Sequence, residues 1–193
     1  SGDIFYKKYN VNTYSQNFKD LLSKTDAVYI ASPNETHYGY AKEALRSGKH
    51  VLCENPIALD RQGAAELYEL ANKHDVVLLE GIKTAYCPGF QQMINTARSG
   101  QIGEIRDIEA CFTRLADPYS RECSDSEYGG AFLEYGAYTL LPIFKLYGTH
   151  YKYVKIHSIT KEDGLDLYTK IDLFYDQGMA TAKCGVGVKT EGQ

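Results

Sequence analysis

The chain is 193 residues long, 44% hydrophobic, and carries a formal net charge of −4. That length allows one domain or two small ones, and the apolar fraction is enough for a packed core. The acidic balance argues against nucleic acid, which wants clustered Lys and Arg, and no apolar run approaches the roughly 20 residues of a membrane helix. The opening residues SGDIFYKKYN lack the apolar core of a secretion signal. Cys53, Cys87, Cys111, Cys123 and Cys184 are odd in number and form no CxxC pair, which points away from a disulfide framework or zinc site and toward a reducing cytoplasm. Seventeen tyrosines without a tryptophan read as polar-tipped packing at sheet surfaces.

In chain order, residues 17–24 predict a short helix. DAVYIAS, 26–32, predicts a continuous apolar strand covered on both faces. Pro33 ends it and Asn34 is a good N-cap for a helix running to Ser47, with Gly48 at the C′ position. HVLCE, 50–54, is the next strand. Asp60 caps a helix to about His74, and VVLLEG, 76–81, is a third strand. Strand, helix, strand, helix, strand at this spacing means right-handed βαβ units in a parallel sheet.

The pattern changes after Pro88. Residues 89–98 read as a helix, 104–114 as a long strand and 115–128 as a loop. Gly130 to Tyr147 is an apolar helix with Pro142 as a kink point. Strands over 151–161, 165–176 and 179–189 follow, the last two joined by an Asp176-Gln177-Gly178 turn. The fold class is therefore α/β: a partial Rossmann-type parallel sheet followed by an α+β domain with a mostly antiparallel sheet. The expected domains are residues 1–88 and 89–193.

Several runs carry chemistry. Ser32-Pro33-Asn34-Glu35-Thr36-His37 joins a strand's carboxyl end to a helix N-terminus, where ligands bind in open α/β sheets. Two readings stand side by side here: a cofactor loop, or simple capping by Asn34 with His37 on the surface. Glu54-Asn55-Pro56 follows the next strand and faces the same crevice. Glu80 to Pro88 contains Lys83, either a crevice cation or a surface lysine. Gly129-Gly130-Ala131-Phe132-Leu133-Glu134-Tyr135-Gly136-Ala137-Tyr138 sets Glu134 and Tyr138 four apart on one helix face, with Gly130 and Gly136 permitting close backbone approach. The remaining histidines show no ligand spacing, so no metal is implied.

The order of these runs resembles the Gfo/Idh/MocA family of NAD(P)-dependent oxidoreductases. Residues 26–56 resemble the second half of its nucleotide-binding domain, and Ser32, Pro33, Asn34 and His37 match its (S/T)-P-N-x-x-H loop along the cofactor. Glu54-Asn55-Pro56 matches Glu-Lys-Pro, whose Glu takes ribose hydroxyls and whose Lys touches nicotinamide and substrate; here that lysine is Asn55. Glu80 to Pro88 resembles E-A-x-x-x-R-x-x-P with Ala85 at the arginine place. Residues 129–138 resemble G-G-G-x-L-x-D-x-G-x-(H/Y), with Glu134 at the Asp place and Tyr138 at the His/Tyr place.

The resemblance implies NAD or NADP as cofactor, with Ser32, Pro33, Asn34, His37, Glu54 and Asn55 binding it. It implies a small sugar, polyol or diol as substrate, held by Glu134 and Tyr138. Tyr138, Asn55 and Lys83 are then the catalytic candidates, and the E-G-I-x-T-x-x-x-P run leans toward the dihydrodiol-dehydrogenase and glucose-fructose-oxidoreductase side. The Gly-rich phosphate loop expected upstream of residue 26 is not in the sequence. The expectation is a piece of a longer protein that by itself binds NAD(P) weakly or not at all. A homodimer or higher assembly through the second sheet, a cytoplasmic location, and no membrane or nucleic-acid partner complete the expectation. The rival is a family member that has lost catalysis and senses a nucleotide or sugar, or serves as an assembly surface.

Overall fold

A computed structural model describes residues 6, 8, 9 and 14–190. Residues 191–193 lie outside the described residues. The chain divides into two compact units, Ser1–Gly81 and Ile82–Gln193.

In the first unit, α1 (Phe18–Leu22) starts at Asn17, whose Oδ1 accepts the Lys19 N–H at 3.0 Å. It is followed by β1 (Ala27–Ile30), α2 (Asn34–Arg46), β2 (His50–Cys53), α3 (Arg61–His74) and β3 (Leu78–Glu80). The strands form a parallel sheet in the order β1-β2-β3, with Ile30 beside Cys53 and Cys53 beside Glu80. Asp60 caps α3 by accepting the Gly63 N–H at 2.8 Å. Gly48 leaves α2 at a φ of 69°, the left-handed turn that favours glycine.

The start of α2 differs from expectation. Pro33 holds the cap position with φ −58° and no side-chain bond, and Asn34 is the first helical residue and buried. Proline's fixed φ suits entry to a helix, and the turn is closed by Thr36, whose Oγ1 donates to the Pro33 carbonyl at 2.7 Å.

Ala41, Ala44 and Leu45 of α2 and Leu67 and Ala71 of α3 pack on Ile30, Val51, Cys53 and Leu78. Burying Leu45 and Leu67 completely contributes roughly 1.5–3 kcal/mol each. Lys42 links the two helices through Glu66 at 2.8 Å, and Tyr38 OH donates to the same carboxylate. Among the described residues the sheet is covered on this face only. On the other, Tyr29, Leu52 and Leu79 are 58%, 40% and 42% exposed. The two crossovers run the same way along the sheet, so right-handed connections place both helices on one side.

The second unit contains α4 (Lys83–Tyr86), α5 (Pro88–Arg98), β4 (Asp107–Thr113), α6 (Arg121–Ser124), α7 (Ala131–Tyr147), β5 (Tyr153–Thr160), β6 (Asp166–Phe174) and β7 (Met179–Gly185). The short helices α4 and α6 lie in segments that the sequence presents as a crossing and a loop. The sheet runs β4-β7-β6-β5, with β5–β6 and β6–β7 antiparallel and β4–β7 parallel. The fold class is thus a parallel Rossmann-type sheet followed by a mixed, mostly antiparallel one.

α7 runs through Pro142 and buries Ile143 against Ile108, Ile171, Leu173, Ala180 and Ala182. Two tyrosines tie this core off at its rim, Tyr147 OH donating to the Ile105 carbonyl at 2.8 Å and Tyr175 OH to the Gly148 carbonyl at 3.0 Å. That is the polar-tipped packing the tyrosine content suggests.

Candidate active site

Three loops leave the carboxyl ends of β1, β2 and β3 side by side, because the strand register sets Ile30, Cys53 and Glu80 in one row. Glu54-Asn55-Pro56 is the middle loop, and each of its residues is held by a different element. Glu54 Oε1 accepts the phenol of Tyr29 on β1. Asn55 Nδ2 donates to Glu80 Oε1 at the end of β3 at 2.8 Å. The Pro56 carbonyl faces His37 Nδ1 of α2 at 2.8 Å. The Asn55–Pro56 peptide is cis.

His37 is 1% exposed, so it is not the surface residue of the plainer reading. Its Nε2 lies 2.7 Å from the Ser32 carbonyl and its Nδ1 2.8 Å from the Pro56 carbonyl, one of which receives the ring N–H. The ring therefore ties the loop after β1 to the loop after β2. Ser32 Oγ sits 2.6 Å from Thr36 Oγ1. Glu80 also accepts the Ile57 N–H at 3.0 Å, which fixes the carboxylate that holds Asn55. Asn55 Oδ1 is buried and has no hydrogen-bond partner among the described residues.

Charge is concentrated here. Accepting the phenol proton, the Glu54 carboxylate holds Tyr29 above the ordinary phenol range. Burial, with Glu80 and Glu54 nearby, pushes the Cys53 thiol up to about 12.

The remaining candidates lie in the second unit. Lys83 is exposed at the start of α4. Glu134 is ion-paired with Arg121, whose Nη1 also donates to the Tyr128 carbonyl at 2.5 Å. Tyr138, one turn on, is partly buried with its ring centroid 5.7 Å from that of Phe112. Tyr135 joins this cluster, 4.5 Å from Phe112 and 5.7 Å from the Arg114 guanidinium, which is itself paired with Glu122. Burial, then the Glu122 carboxylate, raises the Tyr135 phenol above its usual range.

The glycines of this run serve the protein's own packing. A Cβ on Gly130 would stand 2.2 Å from Asp166 Oδ1, and one on Gly136 2.6 Å from the Phe132 ring. Tyr29, Glu80, Arg121 and Asp166 are partners that the sequence reading missed. Glu80 was findable, since it ends β3 as Glu54 follows β2. Arg121 and Asp166 carried no local signal.

A parallel three-stranded sheet with polar loops gathered at its strand ends defines a nucleotide-binding α/β protein. Residues 2–82 match the family model described as the oxidoreductase family with an NAD-binding Rossmann fold, and the chain belongs to this Gfo/Idh/MocA family. It is 31% identical over 159 residues to scyllo-inositol 2-dehydrogenase (NADP(+)) of Bacillus subtilis, covering 78% of this chain and 48% of the relative. Trans-1,2-dihydrobenzene-1,2-diol dehydrogenase of Bos taurus is 25% identical over 179 residues, covering 91% of this chain and 53% of that protein. The 3-ketoreductase KijD10 of Actinomadura kijaniata, solved with TDP-benzene and NADP, superposes with a TM-score of 0.83 at 27% identity, over 97% of this chain and 58% of that one. The chain thus spans about half the length of these relatives.

Proposed function

We infer that the protein is an NAD(P)-dependent oxidoreductase that passes hydride between the nicotinamide and a carbinol carbon of a small sugar, polyol or diol. The carrying observation is the anchoring of Glu54, Asn55 and Pro56, each to a different element, at the strand ends of a Rossmann-type sheet. Such a loop is held in place before any ligand arrives, which is what positioning chemistry requires. The residues fit a nicotinamide dinucleotide: a carboxylate for hydroxyls at Glu54, a polar turn at Ser32, Pro33 and Asn34, and an unpartnered buried acceptor at Asn55. Bound there, the cofactor supplies or accepts the hydride.

The chain's own residues divide the remaining work. Glu54 accepts ribose hydroxyls with the oxygen that Tyr29 leaves. His37 turns both ring nitrogens toward backbone carbonyls of the two loops, so it acts as a positioning residue and not by touching the cofactor. Tyr138 donates or receives the substrate proton, with Glu134 held ready by Arg121 to orient a hydroxyl. Lys83 is the candidate for a charge near the developing alkoxide. Residues 1–88 serve the dinucleotide and 89–193 the substrate and assembly.

The same reading places the protein in the cytoplasm as a homodimer or higher assembly through the second sheet. What supports the assembly is β5, an edge strand with Tyr153, Ile156 and Ile159 at least half exposed, and Tyr153 stacked on Phe174 at 4.3 Å. Among the described residues no helix is long and apolar enough to cross a membrane. Calorimetry of the full-length protein with NADH and with NADPH tests the cofactor: micromolar or tighter binding of one is expected, and binding of neither sinks the reading.

A further inference from the structure

We propose that Asn55 recognises its ligand as a hydrogen-bond acceptor, so that Oδ1 receives an O–H or N–H of the bound molecule. This rests on the oxidoreductase reading above and assigns a role to the one position where the loop departs from Glu-Lys-Pro.

A carboxamide has a donor end and an acceptor end. The donor end of Asn55 is committed: Nδ2 reaches Glu80 Oε1 at 2.8 Å, and that oxygen is kept in place by the Ile57 N–H at 3.0 Å. Turning the amide over would press Oδ1 against the Glu80 carboxylate, two acceptors face to face, and lose the bond. The orientation is therefore dictated by Glu80. That leaves Oδ1 buried with nothing among the described residues donating to it. Buried acceptors are almost always paired, and an exception at a strand-end crevice marks a place for a ligand's donor.

A lysine at this place offers donors alone, and suits a carbonyl or an alkoxide. Asn55 Oδ1 suits the opposite partner. Two groups in the proposed ligands have the required hydrogen: the carboxamide of the nicotinamide ring and a hydroxyl of the polyol. An amide oxygen orients such a hydroxyl without taking its proton.

Calorimetry on the full-length protein separates the sources, using wild type, Asn55→Leu (the same shape without the acceptor) and Asn55→Lys (donors only, paired with Glu80). One arm compares NAD+ or NADP+, whichever binds, with its nicotinic-acid analogue, in which a carboxylate replaces the carboxamide. The other titrates scyllo-inositol into the cofactor-saturated protein. If the carboxamide is the donor, wild type prefers the amide dinucleotide by about tenfold and both variants lose the preference. If the hydroxyl is the donor, dinucleotide affinity is unchanged and inositol affinity falls by about tenfold in both variants. Variants that match wild type in both arms, or a Lys variant that binds tighter in either, overturn the assignment while leaving the oxidoreductase reading in place. A wild-type protein that binds neither dinucleotide overturns both.

Discussion

Asp166, at the start of β6, accepts the backbone N–H of Phe132 at 2.9 Å, so α7 is capped from a strand and not from its own N-terminal segment. The same carboxylate accepts Thr169 Oγ1 at 2.6 Å. Gly130 makes the approach possible. It lies at φ 101° and ψ 159°, a conformation essentially confined to glycine, and a Cβ there would collide with Asp166.

Gly130→Ala should therefore cost about 3 kcal/mol, combining backbone strain with loss of the cap. Asp166→Ala should cost about 1–2 kcal/mol. Both remove one contact, so the double variant should fall short of the sum. Urea unfolding of the three proteins checks this, and strictly additive losses would contradict it.

The two ring nitrogens of His37 face the Ser32 and Pro56 carbonyls, and an imidazole with one N–H donates to one of them. His37→Leu keeps the apolar volume and leaves that part-buried carbonyl without its donor. The expected loss is about 1–3 kcal/mol, together with weaker dinucleotide binding although the ring itself touches no ligand. A His37→Leu protein as stable as wild type would remove the ring from its positioning role.

Much of the architecture was readable because periodicity and punctuation agreed. Asp60 and Gly48 stand where the sequence places them, and the three parallel strands and the apolar α7 follow from their patterns. What escaped were contacts between segments distant in sequence. Glu134 was read as a substrate residue, and the Arg121 that pairs with it comes from an apparently featureless loop. Gly130 was read as permitting close backbone approach, and the group that approaches is a side chain from β6. Asn34 looked like a cap because its residue type favours one, but the preceding proline has the better backbone for that position. Asn55 was identified as a departure, while the direction of its amide depends on Glu80, a partner on another strand.

Thiol reactivity should be sharply graded. Cys87 is exposed, whereas Cys53 and Cys184 are buried and pushed up to about 12, chiefly by burial. At mildly alkaline pH, iodoacetamide should modify Cys87 first and spare Cys53 and Cys184 until the chain unfolds. Peptide mass analysis would read this, and early labelling of Cys53 would contradict it.

Glu66 joins α2 to α3, and hydrogen bonds from Lys42 and Tyr38 hold its carboxyl below the usual range. A depressed folded value means that its contribution is complete at neutral pH and disappears as pH falls through the acid range. Glu66→Gln should therefore be less stable than wild type at neutral pH, and the gap should narrow below about pH 4. A gap that does not change with pH would assign the effect to packing.

The most direct measurement of the central claim is nicotinamide reduction by the full-length protein, followed by absorbance, with NAD+ and NADP+ offered separately and scyllo-inositol, sugars and trans-dihydrodiols as donors. Reduction of one cofactor with a member of this set is expected, with a fall of about a hundredfold or more in Tyr138→Phe at unchanged thermal stability. Absence of reduction with either cofactor across the set, or a Tyr138→Phe protein as active as wild type, would contradict it.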